Sequence, residues 1–204
     1  MELSLGVVGV QGAVTEHVRA LQEALRRQGL GGRAQAIRTG EQLRACDGVI
    51  LPGGESTTIS KLLVASGMHD LLRQRAERED LPILGTCAGL ILLAREGDAQ
   101  VEDTRTKLLG LMDIAVDRNA FGRQRESFEA DLHVEGVGPF HAVFIRSPAV
   151  ARAWGEAEVV SRLGDTIVGV RERNRLALCF HPELTADPRI HEHFVRGVAE
   201  WRKR

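Results

Sequence analysis

Cysteine is scarce in this chain: three among 204 residues, at Cys46, Cys87 and Cys179. An odd and sparse set does not build a disulfide framework, so we expect a reducing compartment and a cytoplasmic protein. Net charge is nearly absent, with 27 basic residues against 28 acidic ones and a formal balance of -1. No strong field steers such a chain onto nucleic acid or anionic lipid, and neither is expected as a partner. No apolar run approaches bilayer-spanning length. The opening Met1-Glu2-Leu3-Ser4 has no basic segment ahead of an apolar one, so residues 3–10 read as a first strand and not as a signal peptide. Internal repeats, low-complexity segments and linkers are also missing.

What is present suits a globular domain. A chain that is 43% hydrophobic and 27% charged over this length can bury a real core, and we expect one domain spanning residues 1–204. Short β-branched or leucine-rich runs alternate with longer helical patterns. That rhythm predicts an α/β fold of three layers, a mostly parallel central sheet flanked by helices.

Strands are expected at residues 5–10, 48–51 and 81–86. Helices are expected at 14–28, where Val14, Val18, Leu21 and Leu25 recur at helical spacing before Gly29, and from about Thr57 and at 88–95. Residues 96–106 are polar and read as a surface loop. Six strand-like runs follow, at 109–116, 128–134, 142–146, 159–163, 166–170 and 176–180, which suggests antiparallel hairpins appended to the parallel sheet. A last helix over 188–202 should open with Asp187 as cap and Pro188 in its first position.

The sharpest motif is Leu84-Gly85-Thr86-Cys87-Ala88-Gly89, a thiol version of the G-x-S-x-G elbow, with small residues that permit a tight strand-to-helix turn. At such a turn the sulfur meets the positive end of the next helix, which favours thiolate and makes Cys87 a nucleophile. The plainer alternative, a small buried hydrophobe, is how Cys46 and Cys179 read. A second motif, Phe180-His181-Pro182-Glu183, leaves an apolar strand, so His181 can reach the thiol and act as base and then acid, with Glu183 orienting the ring. Alone, that spacing describes many loop histidines; paired with the cysteine elbow it points to catalysis.

The third motif is Leu51-Pro52-Gly53-Gly54-Glu55-Ser56-Thr57-Thr58. It could cradle a phosphate, but the lysine and spacing of a P-loop are missing, and an oxyanion hole built from the N–H groups of Gly54 and Ala88 is more economical. A plain glycine turn is the remaining alternative. A metal site through His191 and His193 is disfavoured, because residues two apart on a helix point in different directions. No metal and no cofactor is expected.

These motifs together resemble the class I, triad-type glutamine amidotransferases, and within them the glutaminase subunits of pyridoxal phosphate synthases. The general features are Pro-Gly-Gly, the cysteine elbow and His181-Pro182-Glu183. More specific ones are Gly9-Val10-Gln11-Gly12-Ala13, Gly53-Gly54-Glu55-Ser56-Thr57-Thr58, the run from Asp117-Arg118-Asn119-Ala120-Phe121 through Gly122-Arg123-Gln124, and Ser127-Phe128-Glu129-Ala130-Asp131-Leu132. Phe144-Ile145-Arg146 and Leu184-Thr185 complete the set, and the likeness spans nearly the whole chain.

The resemblance implies a Cys87, His181 and Glu183 triad working through a glutamyl thioester. It implies a glutamine pocket of Gly54, Glu55, Ser56, Arg118, Ile145 and Arg146, and charge complementarity with the ends of L-glutamine agrees. Without the resemblance, Arg118 and Arg146 would read as surface partners of nearby acids. It further implies that ammonia passes to a barrel-fold synthase subunit making pyridoxal phosphate, in a large hetero-oligomer. Gln11 and Gly12 would then lie at the subunit interface and help form the oxyanion hole once the partner docks.

Two features depart from the expected pattern: Arg38-Thr39 stands where a proline would follow the second strand, and the polar stretch at 96–107 is long. A glutaminase serving a different synthase is opposed by the arginine-rich segment after Asp117. A thiol-based redox sensor on the same fold is opposed by His181 and Glu183, since a sensor has no leaving amine to protonate.

Overall fold

The computed structural model describes residues 2–118, 120–121 and 127–204. The first half runs β1 (Glu2–Val8), α1 (Val14–Arg27), β2 (Gly31–Ile37), α2 (Gly40–Arg44), β3 (Gly48–Leu51), α3 (Ser56–Ala65), α4 (Met68–Glu79), β4 (Ile83–Thr86) and α5 (Ala88–Leu93). The second runs β5 (Ala94–Glu96), α6 (Ala99–Asp103), β6 (Met112–Asp117), β7 (Ser127–Val134), β8 (Gly138–Ile145), β9 (Ala149–Ala153), β10 (Glu158–Leu163), β11 (Thr166–Glu172), β12 (Arg175–Leu178), a 3-10 turn (Pro182–Leu184) and α7 (Arg189–Trp201).

Among the described residues, one sheet holds all twelve strands. Its parallel part is β2-β1-β3-β4-β12, and it continues antiparallel through β11, β10, β7 and β8. Strands β5, β6 and β9 branch from β11. The strand sequences explain this division. β3 and β4 are buried along their whole length, as strands covered on both faces must be, whereas β8 alternates buried and exposed positions and wets one face.

The chain steps outward from β1 to β2 and then reverses past β1 to reach β3. Right-handed crossovers on either side of that reversal send α1 to one face and α3 and α4 to the other. The packing agrees: α1 rests on α7, while α3 contacts α4 and α5. The carboxyl ends of β1, β3, β4 and β12 therefore open together at the switch point, where α/β sheets keep their ligand sites.

Several expected boundaries move. The first strand stops at Val8, not residue 10, because the chain must turn at Gly9 into the loop that carries Gln11. The third clear strand starts at Ile83, the strand expected at 109–116 is Met112–Asp117, and the one expected at 176–180 ends at Leu178. The helix expected at 88–95 ends at Leu93, since Ala94–Glu96 pairs with β6. The loop expected at 96–106 contains α6, capped by Asp98, whose carboxylate accepts the Val101 N–H at 3.0 Å. Pro188 flanks the last helix instead of opening it. Asp187 still accepts the N–H of Arg189, the first helical residue, at 3.0 Å.

Between α1 and α7 lie two fully buried imidazoles, His17 and His191, joined by a hydrogen bond of 3.0 Å from Nδ1 of one to Nε2 of the other. Burial lowers His191 to about 4 and, with the charges of His191 and His181, holds His17 well below its ordinary value. Both are neutral in the folded chain, whereas the unfolded chain protonates them near pH 6.5. As pH falls from about 6.5 towards 4 the unfolded state binds protons that the native state refuses, so stability declines across that window. We expect the denaturation midpoint to drop there, and to drop less steeply in His191→Leu. Urea titrations at a series of pH values check this, and parallel curves for the two proteins would contradict it.

Candidate active site

Four loops at the carboxyl edge of the sheet build the site: the segment after β1 with Gln11 and Gly12, the one after β3 with residues 53–56, Cys87 after β4, and His181 after β12. Cys87 fills the single position between β4 and α5 with φ 49° and ψ -102°, a conformation that costs a non-glycine residue energy and is kept where the surroundings impose it. Its N–H donates to the Leu178 carbonyl at 2.8 Å, and its carbonyl accepts the Ile91 N–H at 3.3 Å. Gly89 makes the bend possible, since a Cβ there would collide with the Leu51 carbonyl. Any larger residue would push α5 off β3.

His181 is pinned by its own N–H, which donates to Val143 of β8 at 2.8 Å. Behind it Phe144 stacks on Phe128 at 4.6 Å and meets Phe180 at 5.6 Å, so the register of the β7–β8 pair sets where the imidazole stands. The ring faces Cys87 on one side, and on the other its Nδ1 lies 2.7 Å from Glu183 Oε1. Burial pulls this imidazole down, but the bonds to Cys87 and Glu183 outweigh it and raise it to about 10. A Cβ on Gly53 would strike the His181 ring and come within 3.3 Å of the Cys87 Cβ, so that turn must be glycine for thiol and ring to meet.

In front of Cys87 and His181 lies a cleft of about 370 Å³. Gly54, Glu55, Ser56, Arg118, Ile145 and Arg146, the six residues expected around glutamine, all line it, as does Gln11. Glu55 caps α3, accepting the N–H groups of Thr57 at 3.1 Å and Thr58 at 2.6 Å. Burial pushes its carboxyl up, but the bonds from Thr58 and Thr57 prevail and lower it.

Arg118 reaches Glu55 at 3.6 Å, so the acid pairing that a sequence reading weighs for this arginine is present, inside the cleft. Arg146 has φ 40°, and among the described residues no acid pairs with it. The buried Ser56 hydroxyl, too, finds no partner among them.

Ala88 opens α5, and Gly54 lies under the Gln11 side chain, whose Oε1 accepts the Glu55 N–H at 2.9 Å. Gly12 sits so close to the Gly53 carbonyl that a Cβ would overlap it, and the Ala13 N–H donates to that carbonyl at 3.1 Å. Asn119, Gly122, Arg123 and Gln124 lie outside the described residues. The other thiols differ from Cys87: burial pushes Cys46 up to about 11, and Cys179 is raised by burial and by the charge of Cys87.

Sequence reading missed what lies behind Glu183. Its Oε2 is 3.3 Å from His17 Nε2, which is also 3.1 Å from Thr86 Oγ1; that hydroxyl accepts the Gly53 N–H at 3.1 Å. The available signal was a polar residue on the apolar stripe of α1, since His17 falls in line with Leu21 and Ala24. His191 and His193 do diverge: one is fully buried against His17, the other packs near Gly136. Among the described residues no three metal-binding side chains converge.

A thiol beside an imidazole that is hydrogen-bonded to a carboxylate, facing a polar cleft, completes a set of groups suited to acyl transfer. Comparison with known proteins specifies the kind. A solved structure of a glutamine amidotransferase superposes with a TM-score of 0.85 at 47% identity, covering 96% of this chain and 98% of its own. A glutamine amidotransferase from Thermotoga maritima, 15% identical, shares the fold with a TM-score of 0.64 over 97% of this chain and 96% of its own.

Among curated relatives, the pyridoxal 5'-phosphate synthase subunit PdxT of Archaeoglobus fulgidus is 55% identical over 95% of this chain and 98% of its own length. That of Methanosarcina barkeri is 49% identical over 96% and 98%. The family model for SNO glutamine amidotransferases matches residues 7–200, and the chain belongs to the SNO glutamine amidotransferase family.

Proposed function

We propose that residues 1–204 act as one glutaminase domain, the ammonia-producing subunit of a cytoplasmic pyridoxal 5'-phosphate synthase. The observation that carries this reading is the line from the Cys87 thiol to the His181 ring and on, through a hydrogen bond, to Glu183, opening on a cleft that holds one carboxylate and two guanidinium groups. L-Glutamine offers an α-carboxylate for Arg146 and Arg118, an α-ammonium for Glu55, and a side-chain amide long enough to reach the sulfur.

The chemistry follows from the protonation of the pair. With His181 raised to about 10, the ring holds at neutral pH the proton taken from the Cys87 thiol and faces the sulfur as a cation. Cys87 Sγ attacks the amide carbon, and the carbonyl oxygen takes the negative charge between the N–H groups of Gly54 and Ala88. The carbon–nitrogen bond then breaks as His181 gives its proton to the departing ammonia, leaving a glutamyl thioester. Water attacks the thioester and passes a proton to His181. Glutamate leaves and the thiolate–imidazolium pair is restored.

Free ammonia is lost to water unless a partner receives it, which gives the synthase subunit a physical reason to control the site. Gln11 is suited to that control. Its carboxamide binds the Glu55 N–H and covers Gly54, so a partner touching this loop changes the oxyanion turn directly.

Three outcomes are expected. Cys87→Ala should abolish ammonia release while the circular dichroism spectrum and co-purification with the synthase subunit stay intact; full activity in this variant excludes the mechanism. Glutamate release should be weak for the chain alone and rise clearly when the synthase subunit is added, and equal rates would remove the interface role given to Gln11. Arg146→Met should raise KM for glutamine about tenfold or more, as loss of a charge-assisted hydrogen bond implies, with a smaller change in kcat.

A further inference from the structure

The triad reading leaves three buried polar groups unused: the outer oxygen of Glu183 and the two imidazoles of His17 and His191. Placing two histidines in a core is costly unless each ring nitrogen is satisfied. His17 touches polar atoms at both nitrogens, with Nδ1 3.0 Å from His191 Nε2 and Nε2 between Thr86 Oγ1 at 3.1 Å and Glu183 Oε2 at 3.3 Å. His191 Nδ1 has no partner among the described residues.

Those contacts choose the tautomers. If His17 carried its proton on Nδ1, its Nε2 lone pair would face the Glu183 carboxylate, and His191 would have to bury a donor on Nδ1 with no acceptor. With the proton of His191 on Nε2 and that of His17 on Nε2, both N–H groups have acceptors and a donor faces Glu183 Oε2, which among the described residues otherwise lacks a hydrogen bond; a lone pair on His191 Nδ1 goes unmet, and the Thr86 hydroxyl, which then accepts, turns its own proton away from His17. The buried carboxylate decides between the two, since a lone pair aimed at it is repelled and an N–H is attracted.

We propose that His17, with its tautomer fixed by His191, is a positioning residue for the Cys87–His181–Glu183 line. Its Nε2–H stands between two acceptors that serve different halves of the chemistry. One is the Thr86 hydroxyl, which holds the Gly53 N–H and so the turn carrying Gly54. The other is the Glu183 oxygen that His181 does not use.

When His181 surrenders its proton to ammonia, Glu183 loses the cation that balanced it, while its side chain remains fully buried. Among the described residues, His17 supplies the sole N–H within ion-pair distance of that second oxygen. A few tenths of an ångström moves the hydrogen bond from Thr86 towards Glu183, which keeps the carboxylate aimed at the ring. The strong depression of His17 by burial keeps it a neutral donor throughout. Metal binding does not compete as an explanation, since these groups do not converge as ligands.

The activity arm of the test rests on the glutaminase reading; the tautomer arm does not. In the complex with the synthase subunit, His17→Gln keeps a donor and His17→Met fills similar space without one. We expect kcat of His17→Gln within about threefold of the parent and that of His17→Met lower by about tenfold or more, with KM for glutamine within about twofold in both. Equal kcat values would reduce His17 to a space-filling role and overturn the proposal.

Nitrogen-15 spectra of the imidazoles in the full chain should place the His17 proton on Nε2, and a proton on Nδ1 overturns the proposal. Where His17→Met does not fold, His191→Met replaces it. That variant should let the His17 proton divide between the two nitrogens and lower kcat, and an unchanged tautomer with unchanged kcat would count against the proposal. Failure of the parent complex to release ammonia would sink the glutaminase reading and leave the spectra to decide this one.

Discussion

The site depends on one contact, the approach of the Cys87 thiol to the His181 ring, and much of the surrounding structure exists to bring the two together. The two residues arrive from strands that are neighbours in the sheet, β4 and β12, whose parallel register sets Thr86 beside Leu178. Adjacent parallel strands end at the same level, so residues just beyond their carboxyl ends meet without any long loop. The backbone of Cys87 bonds to Leu178, that of His181 to β8, and the Gly53 turn leaves no side chain between them. A strained dihedral at Cys87 is tolerated because these bonds over-determine it.

The groups around that contact divide by charge state. His181 gains more from its bonds to Cys87 and Glu183 than it loses by burial, and so holds a proton where a free imidazole would not. Among the described residues, His17 has only the outer oxygen of Glu183 at 3.3 Å and His191 no acid, and in both burial prevails and keeps them neutral. Three imidazoles within one connected set of contacts thus hold different protonation states at the same pH, and the arrangement of Glu183 decides which is which. A cation sits beside the inner oxygen of that carboxylate and a neutral donor beside the outer one.

Much of this is legible in the sequence because the relevant signals are local. The buried runs at β3 and β4, the glycines about Cys87 and the strand ahead of His181 each fix a nearby backbone, and together they predict which side chains share an edge. Misplaced boundaries have a common cause. Ala94–Glu96 continues a helical pattern but pairs with β6, and residues 99–103 look like loop until Asp98 caps them, so tertiary pairing and capping override composition there. His17 was illegible for another reason. A histidine on an apolar stripe looks like a packing compromise until α7 supplies His191 and the sheet supplies Thr86, and sequence separations of 174 and 69 residues carry no periodic signal.

The pocket residues in the isolated chain are engaged with one another. Glu55 caps α3 and reaches Arg118, and Gln11 occupies the face of the oxyanion turn. Under the proposed function each contact must loosen for a substrate carboxylate, ammonium and oxyanion to take its place, so part of the binding energy of glutamine is spent on rearrangement when the chain is alone. Arg146 and the Ser56 hydroxyl are different, since neither has an internal partner among the described residues to give up. A partner protein that contacts the Gln11 loop removes part of that rearrangement before substrate arrives. By linkage, whatever stabilises the rearranged loop tightens both the substrate and the partner by the same factor. Under the proposed function, coupling between subunits needs no distant pathway, because one side chain, Gln11, touches the turn proposed to bind the reacting oxygen and lies on the loop proposed for the interface.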